Sequence, residues 1–176
     1  MSEDRKLSDS DGAILVKTAR KAVTEFLSNG SRIKLEPEFE KKFSFDSGVF
    51  VTLNKSNGLR GCIGFPMPEK KLSRAIVDGA IAAATEDPRF PAVTTKELDD
   101  ITFEVTVLTP PMEIDVSDPI EYLSKIKVGR DGLIIRHSFS SGLLLPQVPV
   151  EYGWNVKEFL QHTCEKAGLA RDTWKN

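Results

Sequence analysis

Seven residues, Leu59-Arg-Gly-Cys-Ile-Gly-Phe65, set a guanidinium, a thiol and two glycines into one strand-length stretch. On a strand, alternate side chains share a face. Leu59, Ile63 and Phe65 then point one way, with Gly61 between them. Arg60 and Cys62 point the other way, followed by Gly64. A guanidinium beside a thiol favours the thiolate, which is the nucleophilic form. The glycines leave bare backbone that a ligand or a neighbouring chain can approach. Cys62 is thus the candidate nucleophile and Arg60 its activator or anion holder, with Gly61 and Gly64 as candidate binding positions. The same residue types also serve packing, since Cys is among the most buried residues and strand glycines accompany bulges.

A second group able to move protons is Glu104. In Ile101 to Leu108, Ile101, Phe103, Val105 and Val107 form an apolar face, and Thr102, Glu104 and Thr106 share the opposite one. Glu104 can pair with Arg60 across a sheet or act as an acid/base group. A solvated strand face is its structural alternative. Imidazole chemistry falls to His137 or His162, the only two histidines. His162 lies near the polar boundary of a helix stripe made of Val156, Phe159, Leu160, Thr163 and Ala167, and a Cys62–His162 dyad needs that helix beside the first hairpin. Arg89, on the stiff loop Asp87-Pro-Arg-Phe-Pro91, can clamp an anion or simply fix the loop with Asp87. Gln147 carries the same ambiguity. Tyr152 and Trp154 are candidate anchors for a partner.

Composition narrows the classes. With 176 residues, 40% hydrophobic and 28% charged, the chain is ordinary globular material with length enough for a core. Lys and Arg number 24 against 26 acidic residues, so nothing global demands nucleic acid. No apolar run reaches bilayer length, and Met1 to Lys6 is polar, which sets the expectation of a cytoplasmic protein without a membrane partner. Cys62 and Cys164, the only two cysteines, are expected as free thiols. Their spacing with the histidines matches no zinc pattern, so no metal site and no cofactor is expected. Walker, dinucleotide, Gly-x-Ser-x-Gly and HExxH motifs are absent from the sequence.

The elements that must position these groups can be read from periodicity. An apolar stripe from Ile14 to Leu27 predicts a helix over 9–29, capped by Ser8 to Asp11 and stopped at Asn29-Gly30. Residues 33–45 read as a connecting loop with room for a short helical turn. Strands are predicted over 48–54 and 59–65, joined through Lys55-Ser-Asn-Gly58. A helix follows over 71–85, then the Asp87–Pro91 loop, a turn at 97–100 and a strand over 101–108 that Pro110-Pro111 stops. Ser117 or Asp118 caps a short helix through Lys125. Strands over 132–137 and 142–145 flank the turn Ser138 to Ser141. Residues 146–154 read as a loop, and the last helix covers 155–167, with Gly168 as its stop. Hairpins imply antiparallel pairing, so the expected fold is α+β, with helices flanking antiparallel sheets. One domain spans 1–176, with an ordered core over about 8–170.

Leu59-Arg-Gly-Cys-Ile-Gly64 resembles the signature of the AMMECR family. Asp87-Pro-Arg-Phe90, Phe103-Glu-Val-Thr-Val-Leu108, Gly142-Leu-Leu-Leu-Pro-Gln-Val148 and the stretch from Trp154 to Leu169 match alongside it. The chain is identified as similar to the archaeal and bacterial single-domain members. The resemblance implies an α+β fold with a larger and a smaller lobe, a cleft between them, and the hexapeptide at that cleft. It implies association with a Memo-like protein and a radical-SAM protein in a modification pathway, and it assigns no reaction. Two functions follow as expectations. One is an enzyme or enzyme component, with Cys62 as nucleophile or covalent carrier, Arg60 as its activator and Glu104 or His162 moving protons. The other is a non-catalytic adaptor for a protein, an RNA or a small molecule, built on the hexapeptide strand, Arg89 and the 146–154 loop.

Overall fold

Helix α1, Asp9–Asn29, begins where the sequence supplies a cap. The Ser8 side chain accepts from the Asp11 amide while the Asp11 carboxylate accepts from the Ser8 amide, closing a capping box. Gly30, at φ 75°, ends the helix in the left-handed conformation that the Asn-Gly pair predicts. These features belong to a computed structural model that describes residues 6–56 and 58–176. The chain divides into two compact units, one up to Pro110 and one from Pro111 onward. Both combine helices with antiparallel strands, the α+β class expected.

In the first unit, strands β1 (Gly48–Lys55), β2 (Gly58–Phe65) and β3 (Ile101–Leu108) form a three-stranded sheet in the order β2-β1-β3. Val49, Val51 and Leu53 of the central strand are fully buried on one face. Helix α3 (Leu72–Thr85) covers that face, and its small residues Ala75, Gly79, Ala80 and Ala83 let it lie close. A Cβ on Gly79 would stand 3.4 Å from the Val51 side chain, ordinary contact distance. Helix α1 adds Leu15, Ala19, Ala22 and Val23 to the same core. The stretch read as a connecting loop contains helix α2, Pro37–Lys42, started by a proline at its first position and tied to α1 through Lys42 and Asp11. A 3-10 helix, Thr95–Asp100, occupies the predicted turn. Asn57, half of the Asn-Gly pair expected between β1 and β2, lies outside the described residues.

The second unit pairs β4 (Leu133–His137) with β5 (Ser140–Leu144) and packs helix α6 (Val156–Lys166) against them. Its core holds Ile126, Leu133, Phe159, Leu160, Cys164 and Trp174. Asp118 caps the 3-10 turn Pro119–Glu121 that leads into α4, Tyr122–Lys125. Asn155 and Glu158 close a capping box at the start of α6, and Gly168 takes φ 72° just past its end. Two details differ from the expectation. The turn shortens to Ser138-Phe139, because Ser138 takes φ 52° and lets β5 start at Ser140. The expected loop 146–154 contains helix α5, Gln147–Glu151, where Pro149 sits early enough to break no helical hydrogen bond. No helix among the described residues is long and apolar enough to cross a membrane.

Candidate functional site

Cys62 stands opposite Thr52 in the β1–β2 pairing, and Thr52 stands opposite Glu104 in the β1–β3 pairing. The three side chains therefore form one row across the sheet, on the face that α3 does not cover. Cys62 turns its own amide and carbonyl away from β1. The amide donates to Asp87 Oδ2 at 2.8 Å, and the carbonyl accepts from Arg89 Nη2 at 3.3 Å. Thr52 and Cys62 are thus a non-hydrogen-bonded pair, the kind whose side chains approach most closely. Thr52 Oγ1 accordingly lies 3.3 Å from Cys62 Sγ, in hydrogen-bond contact. The thiol is half-buried. Glu104 is exposed at the far end of the row, with no hydrogen-bond or ion-pair partner among the described residues. Two strand spacings, roughly 10 Å, separate it from Cys62.

Arg60 takes a different course from the one alternation predicts. Leu53 pairs with Gly61 and Asn54 with Leu59, so Arg60 is the extra residue of a β-bulge. The bulge breaks the alternation between Arg60 and Cys62. The guanidinium meets Glu97 through Nε and Nη2 at 3.0 and 3.2 Å and donates to the Pro91 carbonyl at 2.9 Å. Lys55 Nζ joins Glu97 at 3.3 Å, and Glu97 also caps the 3-10 helix through Thr94. Arg60 therefore pairs with Glu97, and the Arg60–Glu104 pair considered from sequence does not form. Foremost the Arg60 hydrogen bonds, then the Thr94 amide and Lys55, hold the Glu97 carboxyl down at about 2.

That depression fixes a pH dependence. A carboxylate whose folded pKa lies below its unfolded value stabilises the fold above the unfolded pKa. The contribution fades as pH falls through the folded pKa, here between the ordinary 4.5 and about 2. Urea unfolding of Arg60→Gln should show a weaker loss of stability across this window than the parent chain. Equal acid sensitivity in the two proteins would contradict the assignment.

The Asp87–Arg89 pair is the anchor that holds Cys62. Asp87 is buried, yet its carboxylate accepts from the Cys62 amide and from the amide, Nε and Nη2 of Arg89. The Arg89 side-chain hydrogen bonds lead the interactions that keep this carboxyl far below the usual range, against the opposing effect of burial. Arg89 is correspondingly raised. The glycines divide by role. A Cβ on Gly61 would fall 2.1 Å from the Ala83 carbonyl oxygen of α3, so Gly61 is where the helix backbone meets the sheet. A Cβ on Gly64 would meet the Val49 carbonyl oxygen at 2.4 Å and the Phe50 ring at 2.5 Å, and that ring lies on the uncovered face beside Thr52.

The second unit carries its own cluster. His162 stacks on Trp154 with ring centroids 3.8 Å apart, and Trp154 stacks on Tyr152 at 4.9 Å. Glu165 Oε2 lies 2.7 Å from His162 Nδ1. Gln147 opens helix α5, half-buried and without a side-chain hydrogen bond among the described residues. His137 ends β4. Cys164 is fully buried in the core of this unit, and burial pushes its thiol pKa up. No cluster of three or more His, Cys, Asp or Glu able to hold a metal occurs among the described residues.

A family model named AMMECR1 matches residues 16–176. The chain belongs to the AMMECR1 family. A protein of Methanothermobacter thermautotrophicus is 51% identical over 166 residues, which cover 94% of this chain and 86% of that one. Protein MJ0810 of Methanocaldococcus jannaschii is 51% identical over 172 residues, covering 97% and 85%. The crystal structure of uncharacterized protein PH0010 from Pyrococcus horikoshii superposes with a TM-score of 0.91 at 48% identity, covering 97% of this chain and 86% of that one. Within this AMMECR1 chain, Thr52, Asp87 and Glu97 join the site as residues that the sequence reading does not include in it. Thr52 had a readable signal, because the strand alternation of β1 sets it opposite the buried Val49, Val51 and Leu53. Glu97 had only its spacing from Thr94.

Proposed function

We propose that this AMMECR1 chain is a component of a modification pathway, with Cys62 as the reactive group of the uncovered sheet face. The row Cys62–Thr52–Glu104 carries the proposal. Cys62 is held at its amide and carbonyl, so the position of Sγ is set before a ligand arrives. The Thr52 hydroxyl lies in hydrogen-bond contact with the sulfur and can orient it toward a ligand on this face. Glu104 is too far to take the thiol proton directly. It suits a proton transfer on the opposite end of a ligand lying across Thr52. Arg60 supports the strand through Glu97 rather than touching the thiol. The partners belong to the same proposal: a Memo-like protein and a radical-SAM protein would supply or receive the modified group.

The test is alkylation of Cys62 by iodoacetamide at pH 7, with buried Cys164 as the internal standard. Cys62 should react about tenfold or more faster than N-acetylcysteine, and Thr52→Val should slow it. Cys62→Ser should keep the fold and abolish labelling. Labelling no faster than the free thiol would remove the proposal.

A second reading rests on the Tyr152–Trp154–His162 stack, whose outer ring, Tyr152, is exposed. Under that reading the protein is a non-catalytic adaptor that docks a protein or an RNA on stacked rings. Trp154→Ala would then abolish capture of the Memo-like or radical-SAM protein while Cys62→Ser left it intact.

A further inference from the structure

The two outer edges of the three-stranded sheet are treated differently. At β2 the Asp87–Arg89 pair occupies the outward amide and carbonyl of Cys62. On β3 the pairing pattern can be followed from the same residue. Because Thr52 turns away from Cys62, it exchanges its backbone hydrogen bonds with Glu104. Ile101, Phe103, Val105 and Val107 must therefore direct their amides and carbonyls outward. Arg20 takes the Ile101 carbonyl, together with that of Leu98 at 2.8 Å. The outward groups of Val105 and Val107 have no partner among the described residues. Beside them lies a trough of about 360 Å³, lined by Leu7, Gly12, Leu15 and Val16 of the α1 side and by Val105 and Val107.

We infer that the β3 edge from Val105 to Val107, with the α1 trough, receives an extended segment of a partner protein as a fourth strand. Main-chain pairing to an exposed edge supplies affinity, and pockets for alternate side chains supply selection. One face of the added strand meets the apolar trough, so every second residue is apolar. Its other face lies beside Glu104, and Asp9 stands at the rim of the trough. Glu104 has no ion-pair partner among the described residues, so the intervening residue of the segment that faces it is basic. A second copy of this chain fits less well, because it would bring another Asp9 and Glu104 to the same seam. The inference is independent of Cys62.

The probe is a peptide of three Val-Lys repeats, acetylated and amidated, beside a counterpart with alternate amides N-methylated. In the free protein, hydrogen exchange should be faster at Val105 and Val107 than at Glu104 and Thr106. The unmodified peptide should slow Val105 and Val107 by about tenfold or more, and the N-methylated one should not. Gly12 has open space around its Cβ position, so Gly12→Leu fills the trough from the helix. It should weaken peptide binding about tenfold or more without lowering the melting temperature. Val107→Pro, which removes an outward amide, should also weaken peptide binding. The inference is overturned by equal binding of both peptides, by no slowing with either, or by slow exchange at Val105 and Val107 in the free monomer. It is also overturned if edge protection tracks a concentration-dependent dimer.

Discussion

Replacing Gly61 by alanine should destabilise the first unit by about 3 kcal/mol or more, at the upper end of what overpacking a core costs. A methyl group there would lie 2.1 Å from the Ala83 carbonyl oxygen. The obstacle is helix backbone, which has no rotamer to adopt, so either α3 lifts from the sheet or β2 bends away. Both responses open contacts around Val51, Leu53, Ala80 and Ala83, which are almost wholly buried. Urea denaturation with near-ultraviolet and far-ultraviolet probes measures the loss. Gly79→Ala is the control, since its Cβ finds only contact at 3.4 Å and alanine favours the helix. If Gly61→Ala were as stable as Gly79→Ala, the close approach of α3 to β2 would be wrong. A large loss would also place Gly61 with the residues that build the strand rather than with those that meet a ligand.

Asp87→Ala should cost about 2–3 kcal/mol, because it strands the Cys62 amide and releases the loop that Arg89 closes. The carboxylate it removes is buried and accepts from Cys62 and from three donors of Arg89. The change should also be visible at the thiol. With its backbone freed, Cys62 loses the fixed approach of Sγ to Thr52, and iodoacetamide labelling should change while Cys164 stays protected. Asp87→Asn keeps an acceptor for the Cys62 amide but removes the charge that pairs with Arg89, so it should fall between parent and alanine variant. Acid supplies an independent check. Asp87 sits far below the usual carboxylate range in the fold, so its contribution is present above the unfolded pKa near 3.8 and is lost as pH falls below it. The alanine variant should show less of that loss. Unchanged stability and unchanged labelling in Asp87→Ala would show that the loop does not hold the strand.

Much of the architecture is written locally, and for that reason it can be read from the chain. Ser8 and Asp11, Asn155 and Glu158, and Gly30 and Gly168 fix helix ends through contacts within a few residues. β3 alternates without interruption, so its two faces are legible. Arg60 shows where local reading stops. Alternation through Leu59 to Phe65 assumes an unbroken strand, but a bulge depends on the register against β1, and register is a property of two strands. Glu97 and Asp87 illustrate the same limit. Each is decided by a partner at long sequence separation, Arg60 for one and the Cys62 amide for the other. Asp87-Pro-Arg89 could be read as a stiff loop, yet nothing local indicates that it closes a strand edge. Helix α5 was hidden by Pro149, a residue that marks loops more often than helices.

The unequal edges of the three-stranded sheet also bear on how the protein behaves in concentrated solution. A sheet polymerises edge to edge only if each copy offers two free margins, as a link in a chain needs two ends. Here side chains of the same molecule interrupt the β2 margin at Cys62, which leaves β3 as the more open of the two margins. Pairing through β3 alone would stop at two copies. The side-chain clasp that steadies the thiol therefore also serves as a terminator of assembly, and a change that opens it would expose the chain to fibrous growth as well as to loss of the site.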